Sequence, residues 1–292
     1  MSERRACGLF SVWRSSCRYQ QRPDRDERLR EQLTKLAHER PRFGYRRLGV
    51  LLDREGEHVN HKRLFRVYRQ SGLSVKRNRR KKLVRSGVSQ PVLTGPNQEW
   101  SLDFVHDALA SGRSVRVLSV VDNFTRECLA LETDTSFASQ RVTRVLESVI
   151  ASRGAPQALR MDNGPELTSR HFLAWCIERK ITMNHIQPGK PMQNGHIESF
   201  NGRFRDECLN ANWFVNLFDA RIKIAGWRRD YNSARPHSSL AYRTPGEFAA
   251  QWQRPSSSTH PVPQSEPSVK PSLTARLRAG LTDEPACNGP LL

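Results

Sequence analysis

The 292-residue sequence has no apolar run long enough to cross a bilayer. Its clearest apolar stretch, Leu9 to Trp13, is flanked by arginines and far shorter than the roughly 20 residues of a membrane helix or the about 7–15 of a signal-peptide core. No membrane association and no export are expected. Paired cysteines are lacking too. The six cysteines, at 7, 17, 128, 176, 208 and 287, make no Cys-x-x-Cys motif and no regular framework, so reduced thiols in a cytoplasmic protein are expected, without disulfides. Sustained heptads are absent, which leaves no coiled coil to drive oligomerisation. Acidic residues are scarce at the start of the chain. Residues 1–98 hold 25 Lys and Arg against 9 Asp and Glu, so +16 of the net charge of +19 lies in the first third. Such a concentration is the electrostatic footprint of a polyanionic partner, most simply nucleic acid.

That basic third reads as helical. From Arg22 to Arg40, Leu29, Leu33 and Leu36 fall on one side, Asp24 and Asp26 suit the start, and Pro41 ends the pattern. A second helical pattern runs from Phe43 to Leu52. Asn60 can cap a third helix that turns Leu64, Val67 and Tyr68 inward and presents Lys62, Arg63, Arg66 and Arg69 outward as DNA-contact candidates. Two short helices joined by a Gly-containing turn, the second strongly basic, read as a helix-turn-helix. Residues 1–75 are therefore a basic helical region, either a DNA-binding helix-turn-helix or an ordinary basic helical hairpin. Lys76 to Arg85 is a charge run and residues 86–97 are rich in Ser, Pro and Gly, making 76–97 a basic linker able to follow a phosphate backbone.

Three acids stand out beyond residue 98. Asp103 is the single acid of Trp100-Ser-Leu-Asp-Phe-Val105, a short aromatic and β-branched strand, and an acid in such a strand is costly unless paired or bound to a cation. Asp162 lies where the strand Leu159-Arg-Met161 meets the breaker Asn163-Gly-Pro165. Glu198 falls in the first turn of a helix that begins near His196 and follows the Gly, Pro, Gln and Asn loop of residues 189–195, with Ile197, Phe200, Phe204 and Leu209 on one apolar side. Spacing of three and four puts Glu198, Asn201 or Gly202, and Arg205 on roughly one face. Three such acids are ligands of the kind hard, oxygen-seeking cations take. Asp122 also ends a strand, but the Asn-Phe-Thr-Arg that follows reads as turn chemistry.

The set Trp-Ser-Leu-Asp103-Phe, Met-Asp162-Asn-Gly-Pro-Glu and Gly-Lys-Pro-Met-Gln-Asn-Gly-His-Ile-Glu198-Ser-Phe-Asn-Gly closely resembles the catalytic core of the retroviral-integrase-like DDE transposases. The 35 residues between Asp162 and Glu198 are the spacing of that superfamily. Within it, residues 1 to about 250 resemble the downstream-frame (OrfB) proteins of bacterial insertion sequences. The resemblance implies an α/β fold: an RNase H-like integrase catalytic core over residues 98–250, with a mixed sheet and helices on both faces, preceded by an all-α helix-turn-helix region. It implies a DNA transposase acting on element ends and target duplex in a bacterial cytoplasm, in company with the nucleoid. Asp103, Asp162 and Glu198 would be the catalytic and metal-holding residues, with two Mg2+ (or Mn2+) ions about 4 Å apart. Lys190 and Arg205 become candidates for phosphate contacts, and Gln193 and Asn194 for steering the strand being cut. A homo-oligomer on DNA and a fusion to the upstream-frame (OrfA) product are implied partners. An Asp-Asp-Glu set could equally serve a nuclease that uses only water, and a DNA-binding relic or regulator would tolerate loss of any of the acids. Retroviral integrases also carry a His-His-Cys-Cys zinc module, but Cys7, Cys17, His58 and His61 match neither its order nor its spacings.

The remaining core pattern reads as strands at Glu99–Val105, Val115–Asp122, Cys128–Thr133, Gln157–Asp162 and Thr182–His185, with helices at Ser139–Arg153 and Ser169–Lys180. Trp213, Phe214, Leu217, Phe218, Ile222, Ile224 and Trp227 predict a helix packed on the core, and Tyr231-Asn-x-x-Arg-Pro-His237 resembles the segment that ends such cores. His237 is expected to be structural or DNA-contacting rather than a general base, because in a two-metal mechanism the ion supplies the nucleophile. Ser and Pro crowd residues 255–271, so 251–292 is expected to be a disordered tail.

Overall fold

Leu29, Leu33 and Leu36 recur at helical spacing and form the buried face of α3 (Glu27–Glu39). Two short helices come before it, α1 (Glu3–Leu9) and α2 (Arg14–Cys17), and Leu9, Phe10, Val12 and Trp13 between them are exposed. With α4 (Tyr45–Arg54) and α5 (His61–Gln70), α3 closes a small core of Phe43, Leu48, Leu52, Leu64, Val67 and Tyr68. Gly49 allows that closure, since a Cβ on it would stand 2.5 Å from Leu64 Cδ2. Asn60 Oδ1 caps α5 by accepting the Lys62 N–H at 2.9 Å. The start of α3 differs from the sequence expectation of Arg22. Asp24 accepts the Asp26 N–H at 2.9 Å and folds the chain into a turn, so the helix begins only at Glu27. These coordinates come from a computed structural model that describes residues 2–20, 24–75, 92–186 and 194–252. Most of the 76–97 linker and residues 253–292 of the expected tail lie outside the described residues.

Alternation then takes over. In β1 (Glu99–Ala108), Trp100, Leu102 and Phe104 point to one face, and Ser101, Asp103 and Val105 to the other. The strand runs three residues past its expected end because it pairs antiparallel with β2 (Ser114–Asp122) as far as Ala108 opposite Ser114. β3 (Cys128–Asp134) lies antiparallel beyond β2, while β4 (Ala158–Met161) and β5 (Thr182–His185) add parallel strands on the other side. The sheet order is β3-β2-β1-β4-β5, a mixed sheet as expected.

Helices cover both faces. α6 (Ser139–Arg153) and α8 (Arg170–Glu178) pack Val142, Leu146, Phe172 and Trp175 onto Trp100, Leu102 and Leu118. Between β4 and α8 the chain makes an unanticipated short helix, α7 (Pro165–Thr168), with Pro165 at its first position. On the opposite face α9 (Gly195–Glu207) and α10 (Leu217–Ser233) pack Ile197, Phe200, Phe204 and Ile224 onto Val105, Val117 and Leu131. The expected helix packed on the core is present as α10, while Trp213, Phe218 and Ile222 of the same stretch are exposed, at 74%, 72% and 54%. Phe218 and Ile222 are four apart and share the outer face, whereas Ala220, Ile224, Trp227 and Tyr231 share the inner one. No helix among the described residues is long and apolar enough to cross a membrane.

The described chain ends on α11 (Pro245–Ala250), which carries a capping box: Thr244 Oγ1 accepts the Glu247 N–H at 3.1 Å and Glu247 Oε2 accepts the Thr244 N–H at 2.7 Å. Gly246 faces α10 so closely that a Cβ would lie 2.9 Å from the Asn232 carbonyl oxygen. Backbone cannot yield as a side-chain tip can. Gly246→Ala is expected to cost about 1–3 kcal/mol in urea unfolding, while Thr244→Ser, which keeps the cap, stays within about 0.5 kcal/mol of wild type.

Candidate active site

Strand register explains how the first two acids come together. β1 and β4 run parallel with Glu99 opposite Ala158 and Ser101 opposite Arg160. Carried two residues further, that offset sets Asp162 level with Asp103 on the neighbouring strand, where strands lie about 4.8 Å apart. Asp162 stands one residue past the end of β4, and its Oδ1 accepts the Gly164 N–H at 3.1 Å. Gly164 suits this tight turn because a Cβ would sit 3.1 Å from that oxygen and 3.3 Å from Glu166 Oε2.

The third acid arrives on α9. Asn201 Nδ2 donates to Asp103 Oδ2 at 2.8 Å, and Glu198 lies one helical turn before Asn201 on the same side. Ser119, directly opposite Asp103 on β2, puts its hydroxyl 3.0 Å from both the Asp103 carbonyl oxygen and Asn201 Oδ1. The helix that carries Glu198 is thus pinned to the strand that carries Asp103. Ser119 and Asn201 are the residues that sequence reasoning undervalued. The i, i+3 spacing flagged Asn201, but nothing local marks Ser119, which is identified only by its register partner.

The acids feel one another. Burial pushes the Asp103 carboxyl up, the charges of Asp162 and Glu198 add to that, and the hydrogen bonds from the Phe104 N–H and Asn201 oppose it. Among the described residues no three His, Cys, Asp or Glu side chains lie close enough to share an ion, so the three are in electrostatic rather than coordinating range. As a donor set they fit a hard dication: all are carboxylates, and Asp103 carries the excess negative field that a cation would relieve. Glu166, in the same motif as Asp162, has a different occupation. It pairs with Arg116, whose guanidinium stacks 4.3 Å from the Phe104 ring centroid. Asp122 is wholly used in a turn, its oxygens accepting the N–H groups of Asn97, Phe124 and Thr125 at 2.8–2.9 Å.

The expected DNA-contact residues are placed unevenly. Lys62, Arg63, Arg66 and Arg69 are all exposed on α5. Yet Arg63 and Arg66 each reach Asp26 at 2.7 Å, an acid only 6% exposed that the sequence assigned to the start of α3. Arg69 lies over the Phe65 ring at 5.9 Å. Arg205 is exposed on α9 beyond Glu198, near the His106 carbonyl oxygen. Asn194 is 5% exposed, and Lys190 and Gln193 lie outside the described residues.

With this arrangement in view, comparison with known proteins is decisive. The chain is 51% identical over 253 residues to the 31.7 kDa protein of insertion element IS407 from Burkholderia multivorans, covering 86% of this chain and 91% of that protein. It belongs to the insertion-sequence transposases of the OrfB type. Residues 94–191 and 179–245 match integrase core domain families and residues 24–82 an HTH-like domain family. Transposase InsD of insertion element IS2D from Escherichia coli is 26% identical over 255 residues, covering 82% of this chain and 83% of that one. Among solved structures, a chain of the simian T-cell lymphotropic virus intasome in complex with PP2A regulatory subunit B56 gamma superposes with a TM-score of 0.50 at 18% identity, covering 82% of this chain and 80% of that one. The fold is that of the integrase catalytic core, with a helical HTH-like region before it.

The crowding of charge makes a stability prediction for this transposase. A carboxyl whose folded-state pKa is raised binds its proton more tightly in the fold, so stability falls as pH rises above the unfolded value of 3.8. In EDTA, the Tm of wild type is expected to fall more between pH 3.8 and 7 than that of Asp103→Asn, which carries no charge there and whose single oxygen keeps one of the two bonds from Phe104 and Asn201.

Proposed function

We propose that this transposase cleaves DNA at the ends of an insertion element and joins the freed 3'-hydroxyl to a target phosphodiester, in a reaction that depends on Mg2+. The observation that carries the reading is the link between strand and helix: Asn201, one turn from Glu198, holds Asp103, and Asp103 feels the charge of Asp162. Asp103 and Asp162 would hold the metals, with Glu198 completing the second site. Bound there, two Mg2+ ions would supply activation of a water or 3'-hydroxyl and stabilisation of the departing oxygen.

The chain's own residues then position the strand. Arg205, on the Glu198 side of α9, suits a phosphate flanking the cut, and Lys190 would add a second cation from the preceding loop. The exposed α5 arginines and Lys62 would bind the duplex through its phosphates. Partnership with an upstream-frame OrfA product, and a homo-oligomer on paired DNA ends, belong to the same proposal. They would supply the oligomerising element that the absence of heptads leaves out of this chain.

Cleavage and strand transfer on a duplex bearing the terminal repeat from the flanking genome test this, with Mg2+ or EDTA, using the chain alone and fused to its upstream frame. Mg2+-dependent joining is expected, lost by at least about 100-fold in Glu198→Gln. Duplex binding without any cleavage, even in the fused protein, would leave a DNA-binding regulator instead.

A further inference from the structure

Two thiols at the start of the chain touch each other and take no part in the site described above. Cys7 lies near the end of α1 and Cys17 is the last residue of α2, and their Sγ atoms stand 3.4 Å apart. A turn folds α2 back along α1. Ser11 adopts the left-handed conformation at φ +52, and the Val12 N–H donates to the Cys7 carbonyl oxygen at 3.0 Å. Glu3, at the first position of α1, then receives a fork from Arg18, with Nε at 2.8 Å and Nη2 at 2.7 Å.

The surroundings of this pair differ from those of the other described cysteines. Cys128, Cys176 and Cys208 are buried, and burial pushes each of their thiols up to about 12, which keeps them protonated and inert. Cys17 is exposed, whereas Cys7 is 8% exposed and lies against it. The hydrogen bond with Cys17 holds the Cys7 thiol up, and burial adds to that. One thiol is therefore open to a reagent, and its only sulfur neighbour among the described residues stands directly behind it.

We propose that Cys7 and Cys17 are a site of oxidation by a hydroperoxide, closing to an intramolecular disulfide that staples α1 to α2. Cys17 Sγ attacks a peroxide oxygen, the O–O bond breaks, and hydrogen peroxide leaves a sulfenic acid on Cys17 and one water. Cys7 Sγ then attacks that sulfur, the S–O bond breaks, and the hydroxyl departs with the Cys7 proton as a second water. Both thiols are oxidised, together by two electrons, and one peroxide is reduced to two waters. A disulfide is about 2.0 Å long, so the sulfurs must approach by roughly 1.4 Å, at the exposed end of a helix of only four residues.

The bond would link residues ten apart in sequence and enclose Leu9, Phe10, Val12 and Trp13, all exposed. Among the described residues none of α1 or α2 belongs to the three buried apolar clusters. Turn hydrogen bonds and exposed ion pairs hold the hairpin while the thiols are reduced, and such pairs contribute little. A covalent link that removes the open conformations would be its main constraint, so oxidation sets how rigidly the apolar turn is presented.

The full chain, purified reduced, is treated with hydrogen peroxide, alkylated with N-ethylmaleimide and digested with trypsin without reductant. Peptides 6–14 and 15–18 are expected to emerge joined, with two alkylation sites lost, and dithiothreitol should restore both. Cys7→Ser should stop at the sulfenic acid, trapped on Cys17 by dimedone, while Cys17→Ser should leave Cys7 unoxidised. Limiting trypsin should cut after Arg14 more slowly in oxidised than in reduced wild type, with no such difference in Cys17→Ser. Wild type that keeps both alkylation sites would overturn the proposal, as would dimedone labelling of Cys17 as complete in wild type as in Cys7→Ser. A link formed only between two chains, seen as a dimer on a non-reducing gel, would overturn it equally.

Discussion

Bringing three carboxylates into one electrostatic neighbourhood works against their mutual repulsion, and the fold around β1 is what holds them there. The sheet does most of this. Register puts Asp162 level with Asp103, and the ladder that fixes register is anchored by the buried Trp100 and Leu102 on the far face. The hydrogen bond from Asn201 and the hydroxyl of Ser119 then fix α9 against the strand. Hydrogen bonds to an ionised group contribute about 1.5–3 kcal/mol, enough to offset like-charge repulsion across a part-exposed site but not to abolish it. The raised carboxyl of Asp103 reflects its burial first and that remaining repulsion second.

Much of this was legible before any coordinates. An acid between Leu102 and Phe104 in an otherwise apolar strand, and another at a Met161-to-Asn163 boundary, both violate local burial rules, and such violations mark functional sites. The sheet, its helices and the α5 cap at Asn60 followed from periodicity and capping chemistry. What was not legible depends on long-range partners. Asp26 suited a helix start, yet its carboxylate belongs to Arg63 and Arg66, 37 and 40 residues away. Phe218 and Ile222 count as apolar in any window, but only the rotation of α10 against β3 decides that they face outward. Ser119 earns its place solely by standing opposite Asp103.

The same distinction alters what net charge means. The first third carries +16, but part of it is spent inside the protein. Arg40 pairs with Asp230 and Arg54 with Glu247, both acids of the core outside that count, whereas Asp26, shared by Arg63 and Arg66, is already subtracted and leaves one of their two charges over. Arginines that anchor structure contribute little to a field seen by DNA, because their partners cancel them at the range of a Debye length, about 8 Å at physiological salt. A charge count over sequence therefore overstates the surface available to a phosphate backbone.

Magnitudes also bear on how firmly the helical region is held to the core. The Arg40–Asp230 and Arg54–Glu247 pairs keep a quarter to a half of their side-chain surface in solvent, so each contributes about 0–1 kcal/mol. Burial of Phe43 adds about 1.5–3 kcal/mol, and part of that is already gained within its own cluster with Leu48 and Leu52. Against these stands the repulsion of Arg47 by Arg203 and Arg235 across the same seam. The sum is small. Docking of this kind gains little from the ion pairs at its rim, so the burial of Phe43 is its largest single contribution.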